Sequence, residues 1–161
     1  MTHGMNDEEF IRGDVPMTKE EVRSISLSKM KIRKSDIIYD IGAGTGSVSV
    51  ESAIQAEDGQ VYAVEINPEA AGLIEENARK FAVSNIKVIE GSAPEILKDL
   101  PAPDCVFIGY FLQYSRVCAN VSSEIAFNTT LACGFFFLIS SRISSSRPLL
   151  PPINTQSGAG L

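Results

Sequence analysis

The stretch Ile37-Ile38-Tyr39-Asp40-Ile41-Gly42-Ala43-Gly44-Thr45-Gly46 decides the fold of this 161-residue chain. An apolar run ends in an acid and a turn with three glycines, and residues that can start a helix follow. Glycine has no Cβ, so the backbone of such a turn can adopt positive φ and approach a ligand closely. The first N–H groups of the following helix have no partner within that helix. The stretch therefore predicts a strand, a turn and a helix that together bind a nucleotide-like ligand.

The chain around this stretch alternates apolar runs with segments of helical periodicity. Strands are predicted at Ile37–Ile41, Gln60–Glu65, Ile86–Ile89 and Asp104–Gly109. Helices are predicted at Lys19–Met30, Ser47–Ala56, from the Asn67-Pro68 cap to Phe81, and at Pro94–Leu100. Such alternation predicts βαβ units, hence an α/β fold with a Rossmann-like, mostly parallel sheet and helices on both faces. Ligands of such sheets bind beyond the carboxyl ends of the strands.

The first helix also has a predicted cap. Thr18 is followed three residues later by Glu21, which is the spacing of a capping box. The spacing predicts that the Thr18 side chain caps a helix beginning at Lys19.

Composition excludes several classes of function. The net charge of −6 argues against a nucleic-acid partner, which requires a basic surface. The acidic N-terminus does not resemble a secretory signal, and the apolar run 131–139 is too short to span a membrane. The three cysteines follow no metal-binding or disulfide spacing, and the single histidine, His3, argues against histidine catalysis. A cytoplasmic enzyme or binding protein with no metal is expected.

The character of the chain changes after Gly109. Acidic residues nearly disappear and serine becomes common. We therefore predict a cofactor-binding domain at residues 1–109, a divergent continuation at 110–143 and a disordered tail at 144–161. Within the continuation, 115–130 is compatible with a poor helix and 134–139 with a fifth strand.

The spacing of the glycines narrows the ligand class. Dinucleotide sites use G-x-G-x-x-G, but here Ser47 stands at the position of the last glycine. Asp40 would repel a pyrophosphate and suits a ligand that carries an ammonium group. S-adenosylmethionine has an ammonium, a sulfonium, a ribose and an adenine, and no phosphate. The sequence therefore favours S-adenosylmethionine over a nicotinamide cofactor.

Each part of S-adenosylmethionine has a candidate partner at the strand ends. Asp40 and the turn residues Gly42, Ala43, Gly44, Thr45 and Gly46 are predicted to face the methionine part. Glu65, which ends the second strand, is predicted to accept hydrogen bonds from the ribose hydroxyls. Ala93, after the third strand, is predicted to contact the adenine.

The motifs resemble those of class I methyltransferases. The glycine turn and Ala63-Val-Glu65-Ile-Asn67-Pro68 carry the general resemblance. Val15-Pro-Met-Thr18-Lys-Glu-Glu-Val-Arg23 and Glu90-Gly-Ser-Ala-Pro-Glu95 are similar to the decarboxylating cobalt-precorrin-6B (C-15) methyltransferases of cobalamin synthesis. The resemblance covers about residues 7–109.

This resemblance implies a reaction and a site. It implies methyl transfer from S-adenosylmethionine to C-15 of cobalt-precorrin-6B, a tetrapyrrole, with loss of carbon dioxide from the ring-C acetate. It implies that Thr18 touches the cofactor and that the chain forms a homo-tetramer. It assigns no catalytic side chain.

The resemblance ends where the composition changes. Tyr110-Phe111-Leu112 replaces a small-residue loop of the family, and the last strands of the family have no counterpart. A frameshift or a misassigned gene segment would explain this change, and so would genuine divergence. Two other functions remain open: a class I methyltransferase with another acceptor, and a cofactor-binding fragment without activity.

Overall fold

The computed structural model describes residues 4–93, 95–109, 129–130 and 138–140. Its helices are α1 (Glu20–Met30), α2 (Ser47–Gln55) and α3 (Pro68–Lys80). Its strands are β1 (Ile37–Ile41), β2 (Gln60–Glu65), β3 (Ile86–Glu90), β4 (Cys105–Ile108), β5 (Thr129–Thr130) and β6 (Leu138–Ser140). Single 3₁₀ turns occupy Asp7–Glu9 and Glu95–Leu97.

The strands form one sheet in the order β3-β2-β1-β4-β6-β5. β1 to β4 are parallel, whereas β6 runs antiparallel to β4 and β5. This confirms the predicted Rossmann-like, mostly parallel sheet. From β1 the chain adds β2 and then β3 on one side of the sheet, and it then crosses over to place β4 on the other side of β1. Ligands of open parallel sheets bind where the strand order reverses in this way, here between β1 and β4.

β1 is buried on both faces, as its continuous apolar run predicts. Ile38 points to the face that α1 and α2 cover, where it packs with Leu27, Met30, Val48, Ala53 and Val61. Tyr39 and Ile41 point to the other face, where they pack with Val106, Ile108 and the segment that contains Ala93, Leu97 and Leu100. The sheet is therefore covered on both faces at its centre, which fixes the position of the turn that follows β1.

The predicted capping box is wrong. α1 begins at Glu20, its N-cap residue is Lys19, and no side chain caps it. Thr18 lies one residue too early, and its carbonyl oxygen accepts a hydrogen bond from Arg23. The predicted cap of α3 is confirmed, since the Asn67 side chain accepts from the Glu69 N–H at 2.9 Å.

The elements after β3 differ from their predictions. The predicted helix Pro94–Leu100 is only a 3₁₀ turn over Glu95–Leu97 in the described residues. The Leu100 N–H bonds to the Leu97 carbonyl three residues back, and Pro101 follows at once, which leaves no room for an α-helix. The predicted fifth strand at 134–139 overlaps β6, and the last two residues of the predicted poor helix form β5. The other residues of those two segments, and the tail 144–161, lie outside the described residues.

In the part of the chain that the structure describes, no helix is long and apolar enough to cross a membrane.

Candidate functional site

The glycine turn lies at the carboxyl edge of the sheet, directly after β1. Gly42, Gly44 and Gly46 all have positive φ, at 73°, 57° and 77°. The N–H groups of Gly42 and Ala43 donate to the Val64 carbonyl of β2 at 2.8 and 3.2 Å. These bonds extend the contact between β1 and β2 by two residues and hold the turn against the end of β2.

Glycine is required in the turn because other parts of the protein lie close to it. A Cβ on Gly44 would lie 2.8 Å from the Pro16 carbonyl oxygen, and a Cβ on Gly46 would lie 2.9–3.1 Å from Ile74 of α3. Both distances are too short for a carbon atom. The sequence predicts that the glycines make room for a ligand. The structure shows that they make room for the N-terminal segment and for α3.

Most turn N–H groups have acceptors inside the protein. Besides Gly42 and Ala43, the Gly46 N–H donates to the Ala43 carbonyl at 2.9 Å. The Gly44 N–H donates to the Glu65 carboxylate at 2.8 Å. A ligand in this turn would therefore meet the neighbouring carboxylates more readily than free N–H groups.

Glu65 is held at the end of β2 by three backbone N–H groups. Its Oε2 accepts from Gly44, and its Oε1 accepts from Ile66 and Asn67 at 2.8 and 3.0 Å. The residue is 7% exposed. Each carboxylate oxygen has a second lone pair, so the group can still accept hydrogen bonds from a ligand. The fixed carboxylate matches the predicted acceptor for a ribose diol.

Asp40 is the second acid at this edge, and its environment is different. It is buried, its Oδ2 accepts from the Ser49 hydroxyl of α2, and its Oδ1 has no hydrogen-bond partner among the described residues. Burial and, to a smaller extent, the nearby charge of Glu65 raise the pKa of Asp40 to about 7, against the lowering effect of its hydrogen bonds with Ser49. A buried carboxylate oxygen without a donor is a place where a cationic ligand group gains a strong interaction.

Two other predicted site residues are also buried at this edge. The Thr45 hydroxyl is buried without a hydrogen-bond partner in the described part of the chain, while its carbonyl accepts from Asn77 at 2.9 Å. Ala93 is 2% exposed, and its methyl group packs in the core beside Ile41 and Ile108. Only the backbone of Ala93 is therefore available for the predicted contact with adenine.

Thr18 belongs to residues 5–18, which we call the N-terminal strap. The strap passes over the turn, where the Pro16 carbonyl lies against Gly44. The Thr18 side chain is half-buried. The strap packs on the turn through the Pro16 main chain, and the contact of Thr18 with a cofactor stays a prediction.

Arg23 holds both ends of the strap. Its side chain is fully buried and donates to Asp7, Glu51 and the carbonyl oxygens of Met5 and Thr18. Burial raises the pKa of Asp7, but its hydrogen bonds with Arg23 and Lys19 outweigh burial, so that the pKa lies below its ordinary value. The guanidinium also lies 4.8 Å from the centre of the Phe10 ring. One buried cation therefore joins the strap to α1 and α2.

Sequence reasoning missed four residues of this region: Arg23, Ser49, Ile66 and Asn77. Arg23 lies four residues before Leu27 on the buried face of α1, and Asn77 lies three residues after Ile74 on the buried face of α3. A polar residue on an apolar helix face is a signal that the sequence itself contains. Ile66, which directly follows Glu65, is 61% exposed. A large exposed apolar residue between an acid and a helix cap was a second signal.

Comparison with known proteins identifies the family. The sequence profile of the precorrin methyltransferase domain matches residues 9–134. The match therefore extends 25 residues beyond Gly109. A cobalt-precorrin-6B C(15)-methyltransferase (decarboxylating) from Salmonella typhimurium is 47% identical over 106 residues, which cover 65% of this chain and 54% of the relative. A relative from Pyrobaculum calidifontis, named as a probable enzyme of the same kind, is 49% identical over 111 residues, which cover 67% of this chain and 57% of that relative. The chain thus spans little more than half the length of these relatives.

Solved structures agree with this assignment. The crystal structure of precorrin-6y C5,15-methyltransferase from Geobacter metallireducens superimposes with a TM-score of 0.70 at 26% identity, covering 88% of this chain and 97% of that chain. Precorrin 8W decarboxylase from Methanobacterium thermoautotrophicum superimposes with a TM-score of 0.64 at 25% identity, covering 84% and 94%. Sequence and fold together show that the chain belongs to the precorrin methyltransferase domain family.

Proposed function

We propose that the glycine turn binds S-adenosylmethionine. The observation that carries this proposal is the buried Asp40 oxygen without a donor, beside the fixed carboxylate of Glu65. A pyrophosphate placed here would face two acids, whereas a ligand with an ammonium and a ribose diol would supply donors to both. The residues present therefore fit S-adenosylmethionine better than a dinucleotide.

The roles of the residues follow from their positions. Asp40 would pair with the ammonium group, and Glu65 would accept from the ribose hydroxyls. Ile66 offers exposed apolar surface next to Glu65, which suits the face of a base. Thr18 and the backbone of Ala93 complete the proposed site, with the turn residues Gly42–Gly46. When bound, S-adenosylmethionine supplies an electrophilic methyl group on a sulfonium.

We further propose that the acceptor is C-15 of cobalt-precorrin-6B and that its ring-C acetate loses carbon dioxide. The family assignment and the names of the relatives support this acceptor. The task of the protein in this reaction is alignment, because holding two reactants in register can lower the barrier by roughly 7–11 kcal/mol. No described side chain is proposed as a nucleophile or a base.

A second candidate function is cofactor binding without turnover. It is favoured by the short length, since the chain spans 54% and 57% of the two relatives. A fragment of this kind would bind S-adenosylmethionine through residues 1–109 and lack a complete acceptor site. A class I methyltransferase with another acceptor would bind the same cofactor and differ from the cobalt-precorrin enzyme in its substrate.

Calorimetry followed by an activity assay separates these functions. We expect S-adenosylmethionine to bind and NAD to give no heat of binding. Incubation with cobalt-precorrin-6B should then give a product that has gained a methyl group and lost carbon dioxide, detected by mass spectrometry. Binding without any product would favour the fragment or a methyltransferase with another acceptor, and binding of NAD alone would overturn the cofactor assignment. The cytoplasmic location and the tetramer stay predictions, and light scattering of the purified chain tests the second.

A further inference from the structure

We propose that Asn77 is a positioning residue for the cofactor site, because its side chain ties the N-terminal strap to the glycine turn. The inference rests on the proposed binding of S-adenosylmethionine at that turn. Asn77 lies near the C-terminal end of α3 and would not itself need to touch the ligand. Neither the motifs nor the family assignment gives this residue a role.

The carboxamide of Asn77 is fully buried and makes three hydrogen bonds to main chain. Its Oδ1 accepts from the Ile11 N–H at 2.8 Å. Its Nδ2 donates to the Ile11 carbonyl and to the Thr45 carbonyl, both at 2.9 Å. One side chain therefore holds a residue of the strap and a residue of the turn at the same time.

The chemistry of these partners selects asparagine. Ile11 offers one donor and one acceptor, and Thr45 offers one acceptor, so the site requires one acceptor and two donors on one short side chain. Aspartate lacks the donors, leucine lacks both, and glutamine is one carbon longer. A buried amide that loses such partners leaves their backbone groups unsatisfied, which is costly.

The tie matters because the strap forms one wall of the turn. The Pro16 carbonyl oxygen lies 2.8 Å from the position that a Gly44 Cβ would take, and Thr18 follows two residues later. Phe10 packs on Phe81 at the end of α3 with ring centres 4.9 Å apart, so α3 is the surface along which the strap runs. If Asn77 is lost, we expect the strap and the Thr45 peptide to move independently, and the site to lose its fixed shape.

The test compares Asn77→Ala with a matched control, Asn85→Ala. Asn85 also donates two hydrogen bonds from its amide to main chain, to the Ala53 and Ala56 carbonyls, at the far end of α2. Both variants should unfold at lower temperature than the wild type. Only Asn77→Ala should weaken S-adenosylmethionine, by about five- to tenfold in Kd, when calorimetry is done at a temperature where circular dichroism shows both to be folded.

Hydrogen exchange of the free proteins gives an independent readout. Asn77→Ala should speed exchange of backbone N–H groups in residues 9–13 and 44–48, and Asn85→Ala should not. Equal Kd values for Asn77→Ala and wild type, with unchanged exchange, would overturn the proposal. A wild type that binds no S-adenosylmethionine would overturn the proposed function, whereas the exchange result would still report whether Asn77 ties the two segments.

A measurement on the wild type covers the case in which Asn77→Ala does not fold. Saturating S-adenosylmethionine should slow exchange of the Ile11 N–H, because the ligand steadies the turn and Asn77 transmits that restraint to the strap. The Val61 N–H, which bonds to the Asn85 carbonyl at 2.9 Å, should change less. If the ligand slows the exchange of the Ile11 and Val61 N–H groups equally, Asn77 does not link the turn to the strap.

Discussion

The glycine turn and the N-terminal strap lie side by side, yet they are held in opposite ways. In the turn, glycines leave room for neighbouring backbone, which packs directly against Gly44. In the strap, backbone oxygens accept hydrogen bonds from polar side chains of helices: Met5 and Thr18 from Arg23, Ile11 from Asn77, and Glu9 from Lys80. The turn depends on the missing Cβ atoms of its glycines, and the strap depends on a few polar side chains of other elements. Substitutions can separate these two modes.

Removing the main anchor of the strap should have the largest effect. Arg23→Ala leaves the buried Glu51 carboxylate without its cation and frees two strap carbonyls, and breaking a buried pair in this way costs about 3–5 kcal/mol. Urea unfolding of the variant should show this loss. The control is Arg79→Ala, since Arg79 is exposed and pairs with Glu75 at only 4.0 Å, and its loss should cost less than about 0.5 kcal/mol. Similar losses for the two arginines would refute the anchor role.

Adding one carbon to the turn should have the next largest effect. Gly44→Ala places a Cβ 2.8 Å from the Pro16 carbonyl at a residue with φ of 57°, and we expect a loss of about 2–4 kcal/mol in unfolding free energy. The control is Gly72→Ala, because Gly72 lies in α3 and a Cβ added there would meet no atom within 4 Å. That change should raise stability by about 0.5–1 kcal/mol. A neutral Gly44→Ala would mean that the strap does not press on the turn.

Glu65, at the end of β2, is the exception to this contrast. Its side chain holds the turn by accepting from the Gly44 N–H. Glu65→Ala should weaken S-adenosylmethionine by about 1–3 kcal/mol, the range for hydrogen bonds to a charged group. Calorimetry measures the change. Glu75→Ala removes the same charge from an exposed position on α3 and should leave the affinity unaltered. Unchanged affinity in Glu65→Ala would remove Glu65 from the site.

Asp40 should give an effect on stability that depends on pH. Its pKa is raised from 3.8 to about 7 in the folded chain, so the folded state binds more protons than the unfolded state between these values. The free energy of unfolding should therefore fall as pH rises from about 4 to 7. Asp40→Asn lacks this titration, so it should be more stable than wild type at pH 8 and similar to it at pH 4. Thermal unfolding at the two pH values measures the difference, and a constant difference would contradict the raised pKa.

The same contrast explains what could be read from the sequence. The strands, α2, α3 and the turn follow from apolar periodicity and from glycine spacing, which are local patterns. The observed bounds of β2 agree with the prediction. The Asn67 cap could be predicted because the pair Asn67-Pro68 is also a local pattern. The acids Asp40 and Glu65 were found because strand ends of a parallel sheet meet at one edge.

The strap could not be read in this way. Several of its contacts join residues far apart in the chain, such as Arg23 with Asp7 at 16 positions and Lys80 with Glu9 at 71, and no local pattern encodes them. The capping box at Thr18 failed by one residue, since Lys19 is the N-cap of α1 and the Thr18 carbonyl accepts from Arg23. The predicted helix after Ala93 also failed: Pro101 disfavours helical backbone at Leu100, and the Leu100 N–H bonds to the Leu97 carbonyl three residues back.

The strap also has a consequence for the order of events during synthesis. The partners that hold Ile11 and Glu9 of the strap lie 66 and 71 residues later in the chain, so the strap leaves the ribosome before them. At roughly 5–20 residues per second, the strap waits about 3–14 seconds for Asn77 and Lys80 to be made. The segment that packs against the glycine turn is thus translated well before some of the side chains that hold it.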